Sequence, residues 1–461
     1  MKKMVKSLAL IMASIATFSM VACGGNGEGK TSSNELEIFS NDTQTELLLN
    51  DALCKAFEKK IEAAEGIDFT YKLQAISDAD YNKNILNAVA AKTLPDVIYV
   101  ADTNVETLSG KGVFENLDPY YTKNNFDFSA YDEAAMDIAR TVGKDGAVGS
   151  YFAPRTYDQP VIIVNNTLWK QYMGDVAVPV ADENWTWTKL VEYLGDIKEG
   201  IQTVHGNEAS LYYPLDIQKS WSAIYDAFVR SFGGYIYDKN TDKFGLSDVR
   251  TQNAMAKLKE MIDNKLMTNV SVGSWFRSGK AVMYIASRSM MSNSWSEDWG
   301  LNDISALPIP IYDDAFTGQT NGTSYYSYGS VGYAISARSE KKDLAYKFVE
   351  FVLSEEGQTI IANTGKNVPV LKSLQLDAQS SWVNSLDMFK GGDQSAFVFN
   401  DYKKDKYVRI PATYARTNNI NKTYELTIYS EMMAIMDGLG NYTSMAEFCS
   451  NAQGIMERAI G

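Results

Sequence analysis

Short polar side chains follow two strands that the sequence predicts near the start of the folded chain. Asn41 and Asp42 come after the apolar strand Leu36–Phe39, and Asp102 comes after the continuous apolar strand Val97–Ala101. Carboxylate and amide groups form hydrogen bonds with the polar groups of small ligands, and ligands of open α/β sheets lie beyond the carboxyl ends of the strands. These positions therefore predict a ligand-binding edge.

The order of the predicted elements explains how these groups reach one edge. Strands alternate with amphipathic helices in the order Leu36–Phe39, Glu46–Ala64, Phe69–Ile76, Tyr81–Ala91 and Val97–Ala101. This alternation of strand and helix predicts an α/β doubly wound domain with a parallel sheet.

The sequence offers little for metal or covalent chemistry. His205 is the single histidine, and it lies in a stretch that we interpret as a solvated polar loop. A zinc site needs several His or Cys ligands at short spacing. The segment Asp78–Asn84 begins like a calcium loop but lacks its glycine and its bidentate glutamate, so it is interpreted as a helix cap. No metal, cofactor or catalytic residue is predicted.

The N-terminus resembles a bacterial lipoprotein signal. Residues 1–22 contain a short basic start and an uncharged apolar stretch, and Val21-Ala22 precede Cys23 as in the lipobox. This resemblance implies that acyl chains attach to Cys23 and hold the protein in the membrane on its extracytoplasmic side. The polar, glycine-rich residues 23–34 then form a flexible tether.

Length and charge limit the function classes. The chain has 461 residues, enough for two lobes, and a formal net charge of −14. Such an acidic protein is a poor partner for nucleic acid. Besides Cys23, the chain has Cys54 and Cys449, interpreted as separate buried thiols, although the sequence leaves a disulfide open.

Four segments in chain order resemble the family 1 extracellular solute-binding proteins of ABC importers, the maltose-binding-protein-like group. They are "PDVIYVADTNVETLSGKGVFENLDPYY", "YFAPRTYDQPVIIVNNTLW", "FRSGKAVMYIASRS" and "GSVGYAISARSEKKDLAYKFVEFVLSEEGQ". The sequence departs from the family pattern at Ala153-Pro154, where Leu-Pro is usual, and at Asn165-Asn166, where Tyr-Asn is usual.

The resemblance implies a two-lobed periplasmic-binding-protein fold of type II with three crossings between the lobes and a helical C-terminus. Lobe 1 is expected at 35–130 and 279–338, and lobe 2 at 131–278 and 339–461. A monomer is expected, with the permease subunits of an ABC importer as its partner.

The resemblance also places the family's ligand contacts on loop residues of this chain. The expected binding residues are Asn41, Asp42, Asp102, Arg155, Tyr157, Asp158, Asp216, Gln218, Trp221, Arg288, Ser289 and Tyr328. Alternatives remain for some of them. Trp221 could pack in the core, Asp42 could cap the following helix, and Arg155 could pair with Asp158 in a hinge.

The resemblance, together with the aromatic content, favours capture of a carbohydrate, an oligosaccharide, between two closing lobes without covalent change. The aromatic content of 12% suits ring stacking on sugars. A polyamine or other small cation is the alternative ligand, given the acid excess. A surface glycoside hydrolase is the alternative from another class, because two separated carboxylates would suffice for it. A purely adhesive surface protein is the third alternative.

Overall fold

The computed structural model describes residues 34–77, 81–217, 222–238, 241, 243–268, 273–291, 294–318, 322–411, 423, 427–436 and 442–460. The predicted signal peptide, Cys23 and all of the predicted tether except Asn34 lie outside these residues. Within the described part of the chain, no helix combines the length and the apolarity that a bilayer crossing requires.

The strands are β1 (Glu35–Asn41), β2 (Thr70–Ile76), β3 (Val97–Ala101), β4 (Arg140–Val142), β5 (Val148–Ser150), β6 (Ala153–Pro154), β7 (Thr156–Tyr157), β8 (Val161–Asn165), β9 (Tyr213–Ile217), β10 (Tyr237–Asp238), β11 (Lys243–Phe244), β12 (Ala281–Ala286), β13 (Ile304–Pro308), β14 (Ser324–Tyr328), β15 (Val331–Ile335), β16 (Val368–Pro369) and β17 (Tyr407–Pro411).

The α-helices are α1 (Gln44–Glu65), α2 (Tyr81–Ala91), α3 (Asp102–Gly110), α4 (Asp118–Lys123), α5 (Glu133–Asp137), α6 (Asn166–Met173), α7 (Trp187–His205), α8 (Ser222–Ser231), α9 (Val249–Asp263), α10 (Ser274–Arg277), α11 (Ser294–Trp299), α12 (Asp314–Thr317), α13 (Lys342–Leu353), α14 (Glu355–Ala362), α15 (Lys372–Gln375), α16 (Ser381–Asn384), α17 (Asp401–Lys404), α18 (Tyr429–Met436) and α19 (Met445–Ile460).

The first sheet has the strand order β2-β1-β3-β15-β6. Strand β1 pairs parallel with β2 and β3, and β15 pairs antiparallel with β3. Helix α1 buries its apolar stripe against this sheet, where the ring of Phe57 lies 4.8 Å from Phe69 and 5.5 Å from Phe348 of α13. The alternation of strand and helix therefore forms the predicted α/β lobe.

The second sheet has the order β13-β8-β12-β9. Strands β8 and β12 are buried along their whole length, which explains why both read as continuous apolar runs. Helix α19 at the end of the chain packs on α9 within this half of the molecule.

Several short strands join the two sheets. The chain leaves the first sheet at β6, passes through β7 and enters the second sheet at β8; it returns through β14 to β15. Later segments add to this connection, because β16 pairs with β7 and β17 pairs with β14. The predicted two-lobed α/β architecture is confirmed.

The predicted lobe boundaries need correction. Strands β12 and β13 fall in the range assigned to lobe 1, yet both pair with β8 in the second sheet. Helices α13 and α14, assigned to lobe 2, pack on α1 of the first lobe. An apolar strand that is buried on both faces fits either sheet, so its composition alone does not assign it.

His205 also differs from its prediction. It is the last residue of α7 and is half-buried, not in a solvated loop. Its ring stacks on Tyr212 at 3.7 Å, and a ring nitrogen shares a hydrogen bond of 2.8 Å with the Tyr172 hydroxyl. The described residues contain no group of three or more His, Cys, Asp or Glu side chains that could hold a metal ion.

Candidate functional site

Asp102 lies where the first sheet meets a connecting segment. It follows β3 and begins α3, and it is buried. Its carboxylate accepts hydrogen bonds from the backbone N–H groups of Thr103 at 2.7 Å and Ser330 at 3.2 Å. The carboxylate therefore ties the end of β3 to the loop between β14 and β15.

Asp158 lies in the connection between β7 and β8. Its backbone N–H and C=O exchange hydrogen bonds of 3.0 and 2.9 Å with Gly329. Its Oδ2 accepts a hydrogen bond from the Ser289 hydroxyl. Its Oδ1 is buried and accepts no hydrogen bond from the described residues.

Ser289, which follows β12 of the second sheet, lies next to Asp158. It is exposed in the short 3-10 turn Arg288–Met290 that follows β12, and its hydroxyl lies 2.9 Å from that of Ser287. Asp102, Asp158 and Ser289 thus connect the first sheet, the connecting strands and the second sheet. We call these three residues the junction centre.

The pKa values of both carboxyl groups in the junction centre are raised. Burial raises the pKa of Asp102 to about 7, and the nearby Asp158 charge adds to this rise. Burial likewise raises the pKa of Asp158 to about 6, against the opposing effect of the Ser289 hydroxyl. A ligand that donates hydrogen bonds or carries positive charge would favour the ionised forms.

Asn41 and Asp42 lie on the same edge as Asp102, because β1 is the neighbour of β3 and runs parallel to it. Asn41 is buried, and its side-chain Oδ1 accepts a hydrogen bond of 2.8 Å from the Thr43 backbone N–H. Asp42 is exposed. The three residues therefore lie at one edge of the first sheet, where Asp42 is exposed and Asn41 and Asp102 are buried.

Tyr157 and Tyr328 stack on each other in the connecting strands, with ring centroids 5.9 Å apart. Both are buried, and the Tyr157 hydroxyl donates to Gln159 Oε1 at 2.8 Å. The guanidinium of Arg409 on β17 lies 6.0 Å from both ring centroids. The pair packs the region between the sheets.

Arg155 has no exposed surface. Its guanidinium forms an ion pair with Glu46 of α1, donates to the Tyr333 hydroxyl at 2.7 Å and lies 5.0 Å from the Tyr99 ring. Arg155 therefore pairs with Glu46 and not with Asp158. This arrangement fastens the connecting strands to the first lobe.

Arg288 is also enclosed by protein. Its Nε donates to the Gly365 carbonyl at 2.7 Å, and its other nitrogens donate to the Gln394 side chain and the Trp382 carbonyl. The rings of Trp382, Phe389 and Phe397 surround it at 5.2 to 5.4 Å. Burial lowers the pKa of Arg288 to about 9.

Asp216, at the end of β9, is fully buried. Its carboxylate accepts hydrogen bonds from the Ile217 N–H at 2.9 Å, the Thr268 hydroxyl at 2.7 Å and the Phe276 N–H at 3.0 Å. These contacts organise the loops at the end of the second sheet. Gln218 and Trp221, the predicted binding residues that follow, lie outside the described residues.

Sequence reasoning missed the serines and the glycine that hold the junction centre. Ser330 donates its hydroxyl to the Thr156 carbonyl at 2.6 Å, Gly329 pairs with Asp158, and Ser287 supports Ser289. The signal that could have found them was their position in the segments "YGSVGY" and "ASRS", next to the predicted binding residues Tyr328 and Arg288.

The family model of bacterial extracellular solute-binding proteins matches residues 52–389. The chain belongs to this family. The members of the family bind solutes, and the two-sheet architecture with its connecting strands is the framework on which this protein places the junction centre.

Solved structures share the fold of this solute-binding protein. The ABC substrate-binding protein Lmo0181 from Listeria monocytogenes, in complex with cycloalternan, is 18% identical with a TM-score of 0.70 over 93% of this chain and 99% of that one. Maltose-bound MalE3 of T. maritima is 16% identical with a TM-score of 0.65 over 92% and 99%.

A third solved structure carries a ligand of another class. UgpB from Mycobacterium tuberculosis, in complex with glycerophosphocholine, is 18% identical with a TM-score of 0.69 and covers 95% of this chain and 99% of that one. The maltose-binding-protein-like fold is therefore shared by proteins that bind different solutes.

Proposed function

We propose that this protein captures a carbohydrate, an oligosaccharide, between its two lobes and delivers it to the permease of an ABC importer. Lipid on Cys23 would hold it on the outer side of the cell membrane. Membership of the extracellular solute-binding family supports the transport role, and the cycloalternan and maltose complexes of proteins with the same fold support the carbohydrate.

The observation that carries this proposal is the junction centre. Asp102 comes from the first sheet, Asp158 from the connecting strands and Ser289 from the end of β12 in the second sheet. A solute bound there gains contacts from both lobes only when they are close together. Ligand binding would therefore favour the closed form over the open one.

The chemistry of the centre suits a polyol. Asp158 Oδ1 is a buried acceptor without a donor among the described residues, and Ser289 presents an exposed hydroxyl. A sugar hydroxyl can donate to the first group, and another can donate to a lone pair of the second, whose own proton goes to Asp158 Oδ2. A buried acceptor that stays unpaired costs about 1–3 kcal/mol, so a solute lacking a donor at this point is discriminated against.

The solute is expected to be released unaltered. The family consists of binding proteins, and the centre needs no covalent step. The carboxylates act as hydrogen-bond acceptors, and the connecting strands beside Asp158 act as the hinge.

A calorimetric and thermal-shift screen tests the proposal. The panel contains linear maltodextrins, cyclic α-glucans, glycerophosphocholine and 1,4-diaminobutane, and chromatography of the glycans after incubation detects hydrolysis. Saturable binding of an intact oligosaccharide, with a raised melting temperature, is the expected result. If only the diamine or only glycerophosphocholine binds, the protein does not bind a carbohydrate. If a glycan is cleaved, the protein is a hydrolase and not a transport protein.

A further inference from the structure

A pocket of about 540 Å³ lies beside the connecting strands. Its wall is formed by α5 and the β4–β5 hairpin on one side and by Tyr328 of β14 and Arg409 of β17 on the other. Its volume is within the range of roughly 300–1,000 Å³ that is usual for small-molecule sites. Asp102, Asp158 and Ser289 do not line it.

Two carboxylates and two arginines line the pocket, and two further carboxylates lie beside the arginines. Arg140 and Arg409 line it, but Arg140 lies 3.3 Å from Asp118, and Arg409 contacts both carboxylate oxygens of Asp132 at 2.8 and 2.9 Å. Each arginine therefore pairs with an aspartate that does not line the pocket. The carboxylates of Glu133 and Asp137 stay uncompensated.

Glu133 and Asp137 are placed to act together. They are four residues apart on α5, which puts both carboxylates on one face of the helix. Both side chains are exposed, and neither forms an ion pair or a hydrogen bond with a described residue. A ligand donor in the pocket could contact both.

Tyr328 adds an independent observation. It is only 4% exposed and lines the pocket, and its hydroxyl forms no hydrogen bond with any described residue. Burial raises the pKa of Tyr328; the charge of Asp137 adds to the rise, and the guanidinium of Arg409 opposes it. The Tyr328 side chain is thus almost wholly buried, while its hydroxyl opens on the pocket without a partner in the part of the chain that the structure describes, so a ligand group can pair with it there.

The remaining wall is apolar and aromatic. Phe128 is 44% exposed and lines the pocket together with Met136. An aromatic face attracts organic cations as well as apolar stems. Calcium would need about six to eight oxygen ligands, more than two carboxylates and a hydroxyl supply.

We infer that this pocket is a second small-molecule site that takes an organic cation, a primary amine on a short apolar stem. The ammonium group would donate to Glu133, Asp137 and the Tyr328 hydroxyl, and the stem would lie against Phe128. The residues that line this site differ from those of the junction centre, and the inference does not depend on the identity of the transported solute.

Titration calorimetry with 1,4-diaminobutane at low ionic strength tests the inference on the mature chain. Binding is expected with one site, and it should weaken as salt is added. The double variant Glu133→Gln/Asp137→Asn should weaken binding by roughly tenfold or more, because two charged acceptors are lost. Tyr328→Phe should weaken it by roughly fivefold.

The matched control is Glu192→Gln/Asp196→Asn, which removes two exposed carboxylates with the same spacing on α7. This control should bind the diamine as the wild type does, and circular dichroism checks that every variant folds. The inference is overturned if the diamine does not bind at millimolar concentration or if the Glu133/Asp137 variant binds normally. Loss of diamine binding in Asp158→Asn with retention in the Glu133/Asp137 variant also overturns it, since the cation then enters the junction centre.

Discussion

At the scale of single residues, the charged groups that sequence reasoning placed in the cleft fall into two classes. Arg155, Arg288 and Asp216 are enclosed and hydrogen-bonded to protein. Asp158 has a free acceptor, and its neighbour Ser289 is exposed. The second class is the one that can exchange a protein contact for a ligand contact.

Replacing Asp158 with Asn should weaken solute binding. The amide keeps the size of the side chain but halves its acceptor capacity, so we expect a loss of about 1–3 kcal/mol, or roughly 5- to 150-fold in Kd. Calorimetry with the solute identified in the screen measures it. The control is Asp175→Asn, an exposed aspartate outside the junction centre; equal Kd values for both variants would contradict the assignment.

The raised pKa values of Asp102 and Asp158 predict a pH dependence of stability. A carboxyl whose pKa is about 7 when folded and near 3.8 when unfolded binds more protons in the folded state between these values. The free energy of unfolding should therefore decrease as the pH rises from about 4 to 8, by about 2.5 kcal/mol for Asp102 between pH 5 and pH 8.

Denaturant titrations of the wild type and Asp102→Asn at several pH values measure this effect. The free energy of unfolding of the wild type relative to that of Asp102→Asn should decrease as the pH rises, because Asn does not titrate. A difference that is constant with pH would show that the Asp102 carboxyl titrates normally in the folded protein.

At the scale of elements, the connecting strands are fastened more firmly to one lobe than their length suggests. Strand β7 has two residues, yet Arg155 beside it pairs with Glu46 of α1 across 109 positions of sequence. Arg288 holds the end of β12 against the C-terminal segments in a similar manner. Such anchors let the strands between them act as a defined hinge.

The substitution Glu46→Gln should destabilise the protein, because it leaves the buried Arg155 charge without its partner. A cost of about 3–5 kcal/mol is expected, measured by the shift of the denaturation midpoint. The double variant Glu46→Leu/Arg155→Met should recover much of this loss, since it removes both charges. A Glu46→Gln protein as stable as the wild type would contradict the structural role of the pair.

The sequence predicted local elements well and long-range partners poorly. Helix Tyr81–Ala91 and strand Val97–Ala101 have the predicted bounds, because periodicity and the Pro and Thr residues around them are local signals. The sheet membership of β12 and the partners of Arg155 and Arg288 depend on residues about a hundred positions away. Composition and spacing carry no information about such distant contacts.

The same limit applies to the candidate site. Asp102 and Asp158 were found because a family pattern and a strand end marked them. The backbone groups of Ser330 and Gly329 form hydrogen bonds with the two aspartates. Because these contacts use the backbone, the side-chain types at 329 and 330 do not indicate them. The sequence therefore marked Asp102 and Asp158 as candidates but not the loop that holds them.

At the scale of the whole molecule, the proposed anchor predicts a clear localisation. Replacing Cys23 with Ser should abolish incorporation of labelled palmitate and move the protein from the membrane fraction to the soluble or secreted fraction, since stable attachment requires the acyl chains. Replacing Cys54 with Ser is the control, because this thiol is buried in α1. Equal labelling of wild type and Cys23→Ser would contradict the anchor.

Closure of the two lobes on a solute at the junction centre should make the molecule more compact. Small-angle X-ray scattering of the mature protein, with and without the saturating oligosaccharide found by calorimetry, tests it most directly. The radius of gyration should be smaller with ligand, and an Asp158→Asn protein should need more ligand for the same change. A solute that binds tightly while the scattering curve stays unchanged would contradict it.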